Sequence, residues 1–191
     1  MNRETVPIIA GLRLIGKVNN STIGFMSIQT AEQEETPTTN YSALSYRQDV
    51  LEQSTVGVMT TNKFESGRWF SSTGAYGHYS ASKFLTNKNL NIGASYVKNF
   101  YSDTTINEAI GHRIFIRYPN DLIQFDVAWQ RSGSNFNPEV GFLTRSNFQE
   151  IFTELELNPR LKKFLKWIRR FSFKPFDMNY FIYPNALLQL T

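Results

Sequence analysis

Glu154 and Glu156 stand two residues apart in a strand-like segment. That spacing puts both carboxyls on one sheet face with Cβ atoms roughly 7 Å apart. Paired carboxylates at such a separation can hydrolyse glycosides, one as acid and the other as base or nucleophile. They serve equally as the charged lining of a water-facing wall, and their company favours that role. Arg113, Arg117, Gln124, Asp126 and Gln130 occupy alternate positions of two earlier segments and, with Glu154 and Glu156, form one candidate lining. No residue is assigned a catalytic, cofactor-binding or metal-binding part, and no cofactor is expected.

Other chemistry is thinly represented. The two histidines, His78 and His112, fall on separate segments and read as structural or lining residues. The chain has no Gly-rich phosphate loop, no His-Glu-x-x-His string and no serine elbow. With zero cysteines, thiol catalysis, disulfides and Cys-ligated metals are excluded.

Two strings stand outside the strand pattern. In Asn135, Phe136, Asn137, Pro138, Glu139, Val140, Gly141 and Phe142, the proline fixes φ and holds Asn137 extended, while Gly141 allows close backbone packing. This predicts a structured loop that folds back, with Glu139 as a stabilising carboxylate in preference to a ligand. In 161–170, Leu161, Phe164, Leu165 and Ile168 recur at helical spacing, surrounded by Lys162, Lys163, Lys166, Arg169 and Arg170. A short basic amphipathic helix on an anionic membrane fits this pattern. An irregular turn with a solvated charge run fits as well, and is the preferred reading.

The elements that would position these residues follow a rhythm. About ten segments of roughly ten residues alternate apolar and polar side chains, the length that a membrane-spanning strand needs. Short connections at 19–21, 49–52, 86–88 and 119–121 alternate with long ones at 31–39, 62–72, 101–108 and 132–145. In 122–130, Ile123, Phe125, Val127 and Trp129 oppose Gln124, Asp126, Ala128 and Gln130. In 109–118, Ile110, His112, Ile114, Ile116 and Tyr118 oppose Gly111, Arg113, Phe115 and Arg117. Segment 148–157 sets Ile151, Leu155 and Leu157 against Glu150, Glu154 and Glu156. Earlier strands are read at 8–18, 22–30, 41–48 and 54–61, with Thr55, Gly57 and Thr61 facing inward; the faces of 74–84 stay unassigned. The expectation is an all-β chain: an antiparallel up-and-down transmembrane β-barrel of outer-membrane type with about ten strands. Residues 1–191 form one such domain or fragment.

Composition is compatible with this. The 191 residues include 41% hydrophobic and 15% aromatic side chains, values an outer-membrane barrel shares with soluble proteins because half of each strand faces water. No run approaches the ~18 apolar residues of a spanning helix. A net charge of +4 is too mild for a nucleic-acid footprint, and none is expected as a partner. Residues 1–6 lack the pattern of a signal peptide, and 186–191 read as a strand cut short. Both suggest a piece of a longer protein.

Several strings carry a family resemblance: 7–17 (PIIAGLRLIGK), 22–24, 29–30, 38–42, 47–55 (RQDVLEQST) and 136–142 (FNPEVGF). Together they resemble a Bacteroidota outer-membrane barrel family, domain of unknown function 5916. Its members often carry a carbohydrate-binding module, similar to family 9, ahead of a long C-terminal barrel. The resemblance spans nearly all of this chain but only the opening part of that barrel. It implies outer-membrane localisation, outer-membrane lipid as partner, and glycans or an envelope partner for the full-length protein. It implies no catalytic residue.

Two rivals remain. A soluble β-sandwich or small barrel would bind carbohydrate or lipid through Trp69, Tyr76 and Tyr79. A glycoside hydrolase would use Glu154 or Glu156.

Overall fold

The computed structural model describes residues 6–33, 37–103, 106–141, 143, 145–160, 171–183 and 186–190, of which six positions (183 and 186–190) are described by backbone alone. Its described residues form eleven strands and no helix: β1 (Ile8–Val18), β2 (Ser21–Thr30), β3 (Thr39–Val50), β4 (Ser54–Glu65), β5 (Arg68–Phe84), β6 (Lys88–Tyr101), β7 (Ile110–Pro119), β8 (Ile123–Ser132), β9 (Phe148–Leu157), β10 (Phe173–Tyr183) and β11 (Ala186–Leu190). All join one antiparallel sheet in chain order, each strand beside its sequence neighbours. Among the described residues no ladder links β1 to β11.

Register decides which side chains share a face, because residues paired across an antiparallel ladder point the same way. Ile92 pairs with Ile116, Ile116 with Val127 and Val127 with Thr153. Tyr46 pairs with Val58, and Val58 with Ala75. On the reverse face, Arg117 pairs with Asp126 and Asp126 with Glu154, while Arg47 pairs with Gly57. One face is therefore dominated by apolar side chains and the other by polar and charged ones across the whole sheet.

The burial is inverted relative to a soluble sheet. Apolar-face residues are open: Tyr96 is 48% exposed, Ile114 47% and Phe176 53%. Charges on the polar face range widely, from the Lys63 side chain at 23% and Asp126 at 26% to Arg117 at 46% exposed. The elements touch only their ladder neighbours, so no second layer of described strands covers the apolar face. The few buried apolar residues include Phe70 and Ala128, which lie on the polar face, and Phe136, whose loop folds over it.

The 62–72 segment is not the long connection expected from sequence. β4 and β5 run on into it and meet at Ser66-Gly67, a two-residue turn with positive φ at both positions (48° and 78°), the geometry whose twist suits a hairpin. Strands of 12 and 17 residues exceed the ~9–11 needed to span a bilayer. The excess forms a polar tier on the otherwise apolar face. There Thr60 Oγ1 lies 2.9 Å from Thr73 Oγ1, Asn62 Nδ2 donates to Ser42 Oγ at 3.4 Å, and Asn40 Nδ2 donates to Ser27 Oγ at 3.2 Å. Strand β10 was not legible as a strand either. Its alternation is broken by a register shift between Phe173 and Phe176, where Lys174-Pro175 intervenes.

Candidate functional site

All seven candidate lining residues fall on the polar face, because each sits in step with the others through the β7–β8–β9 ladders. Arg117, Asp126, Glu154 and Asp177 form one transverse row across β7 to β10. Arg117 Nε donates to Asp126 Oδ2 at 2.7 Å, and Lys174 Nζ donates to Glu154 Oε1 at 2.8 Å. A second row pairs Arg113 with Gln130 and Gln130 with Glu150. Arg113 Nη1 donates to Gln130 Oε1 at 3.1 Å, and Gln130 Nε2 in turn bonds Glu150. Gln124 pairs with Glu156, whose Oε1 accepts from Ser172 Oγ at 2.8 Å.

Between the two charged rows runs a softer one, Phe115, Ala128 and Phe152. The Arg117 guanidinium lies 4.7 Å from the Phe115 ring centroid, within cation–π range. Because Ala128 is small, these rows enclose a cavity of about 280 Å³ lined by Arg113, Arg117, Asp126, Ala128, Gln130, Glu150 and Phe152. Opposite charges and amides answer one another along it. Such an arrangement suits a hydrated wall, on which both signs of charge are present and already partnered.

Lys63 and Asp177 also take the polar face and Lys174 bonds Glu154 there, and the sequence reading picked out none of the three. Lys63 and Glu65 alternate with Phe64 on the opposite face, so reading 62–65 as strand would have found Lys63. Lys174 and Asp177 lay hidden in the unrecognised β10.

Residues 135–141 of the loop after β8 fold back toward the sheet. Gly133 N donates to Ile110 O at 2.8 Å and Asn135 N to Glu108 O at 3.3 Å, while Asn135 Nδ2 donates to Asn107 O at 2.9 Å. The loop is thereby tied to the connection before β7. Phe136 then lies against Gly111 of β7: a Cβ added there would come within 3.0 Å of the ring. Further along, Glu139 Oε2 lies 3.2 Å from Lys63 Nζ on β4, and Lys63 is shared with Glu65 at 2.5 Å. Glu139 thus stabilises the loop through an ion pair. Phe142 lies outside the described residues, as does the basic 161–170 segment.

The remaining candidates do not converge. Trp69 and Tyr79 share the apolar face while Tyr76 is on the polar face, so the three form no common platform. His78 is on the polar face against Phe115, and His112 on the apolar face 4.6 Å from Trp129, ring centre to ring centre. Among the described residues no group of three or more His, Asp or Glu side chains is placed to hold a metal ion.

No protein-family model, curated protein or solved structure matches this chain.

Proposed function

We propose that this chain is a non-enzymatic wall segment of an outer-membrane-type β-barrel, its apolar face in lipid and its polar face lining a water-filled interior. The observation that carries the reading is the inverted burial: an apolar face that no second layer of described strands covers, with the charges gathered on the opposite face. In water, so large an apolar surface would be a severe liability, whereas in hydrocarbon it is the expected exterior. Hydrogen bonding supports the same environment, since every strand from β2 to β10 is paired along both edges and lipid offers no substitute for such bonds. Ile123 to Trp129 spans about 20 Å along its strand, about 15 Å of height at the usual strand tilt, which fits within the ~25 Å apolar band of such a barrel.

The outward polar tier of β2–β5 marks where the wall leaves the bilayer. It stands at the rim that carries the 31–38, 102–109 and 133–147 connections, whereas the opposite rim has turns of two or three residues apart from 158–172. In barrels of this kind the rim with more long connections is extracellular. Membership of the Bacteroidota barrel family, and a part in glycan handling or envelope transport for a longer form, belong to the proposal through the resemblance of the 7–17, 47–55 and 136–142 strings.

Association with lipid vesicles tests the reading. The protein is expected to need detergent for solution, to stay with vesicles through a urea or carbonate wash, and to protect its strands from protease there. A stable, monodisperse protein without detergent that ignores vesicles would refute it.

A further inference from the structure

The loop after β8 does more than close a hairpin. Phe136 rests on β7 and Glu139 reaches β4, three ladders away, a distance of about 14 Å at normal strand spacing. Three residues fully extended cover about 10 Å, and the Glu139 and Lys63 side chains supply the rest. Residues 136–139 therefore run across the strands on the polar face. Cavities of about 740 Å³ and 450 Å³ border this crossing, and Tyr101 lines both. The larger includes Lys63, Glu65, Phe70 and Glu139; the smaller includes Asn135 and Phe136.

Resting on the barrel reading, we propose that 133–141 is a constriction loop and that Lys63 and Glu139 are specificity-determining residues for what passes the interior. The ion pair pins the far end of the crossing, as Phe136 on Gly111 pins the near end. With both ends held, the loop narrows the passage and places a paired cation and anion beside it. Small neutral polar solutes pass; larger ones are held back until the pair is broken.

Two experiments separate this proposal from the reading beneath it. In the first, vesicles holding the full chain are assayed for entry of neutral sugars of graded size, with insertion checked by flotation. Lys63→Met or Glu139→Gln should speed the larger sugars several-fold, and the Lys63→Glu/Glu139→Lys exchange should restore restriction. Inserted protein with the same permeability in all four forms overturns the proposal. In the second, Lys63→Cys/Glu139→Cys is treated with a short bis-maleimide in detergent, which needs no membrane insertion. The chain is otherwise free of cysteine, so only these thiols react. Cross-linking is expected. Its failure, while Thr61→Cys/Ser72→Cys across the β4–β5 ladder succeeds, also overturns the proposal. Failure to insert, with the cross-link intact, removes the barrel reading and with it the solute role.

Discussion

Lys63 Nζ lies 3.2 Å from Glu139 Oε2, although four ladders separate β4 from β8, the strand that feeds the Glu139 loop. On a flat sheet those ladders would span about 19 Å. The contact ties the two halves of the polar face together through a loop laid over it. That relationship and the inverted burial of the two faces generate the expectations below.

Charge placed on the two faces should have unequal effects. Val127→Arg, on the apolar face, should cost about 2–4 kcal/mol of folding free energy in lipid, the penalty for a cation near the bilayer midplane. Thr61→Arg, on the polar face, should cost under about 1 kcal/mol. Urea unfolding in vesicles measures both; equal costs would mean that both faces meet the same solvent.

Gly67 has φ of +78° in the β4–β5 turn. Gly67→Ala should lower stability by about 1 kcal/mol, because an L side chain is strained in left-handed backbone. The same unfolding assay reads it. The contrast is Gly16, whose added Cβ meets nothing within 4 Å and whose φ carries no such strain, so Gly16→Ala should be close to neutral.

Phe136 is held by its contact with Gly111. Phe136→Ala should free the near end of the loop, seen as faster amide exchange at Asn135 and as easier proteolysis within 133–141, with the ladder amides of β7 and β8 unchanged. Gly111→Val should do the same from the other side, since its side chain would take the ring's place. Unchanged exchange in both variants would show that the ring does not anchor the loop.

Arg117 and Asp126 are paired but partly open to solvent, their side chains 46% and 26% exposed. Arg117→Ala should cost about 0.5–1 kcal/mol, from the ion pair together with the Phe115 contact. High salt should shrink that difference.

Much of the fold was legible because a period-two pattern is independent of tertiary detail. Ile123, Phe125, Val127 and Trp129 announce one face by themselves, and the register then carries that assignment through Ile114 and Ile116 to Ile92. The ambiguous 74–84 stretch resolved only through pairing: Gly74, Tyr76, His78 and Ser80 take the polar face because Met59, Gly57, Thr55 and Asn91 do. Where the apolar face turns polar, as at Thr60, Asn62, Ser71 and Thr73, alternation carries no signal, so the β4–β5 hairpin reads as a loop. That the seven candidate residues share one face was legible from spacing. The Lys63–Glu139 pair was not, since it joins residues 76 positions apart through a loop whose path no local pattern encodes.

The central claim concerns what touches the apolar face, on which Trp129 lies beside Ile114 and Ile151. With Trp69→Phe and Trp167→Phe leaving it as the sole tryptophan, its emission can be read in vesicles whose lipids carry bromine at graded acyl-chain depths. The predicted result is strong quenching by bromine within the acyl chains and little by aqueous acrylamide. Vesicle-bound protein whose Trp129 is quenched by acrylamide and not by brominated lipid would contradict it.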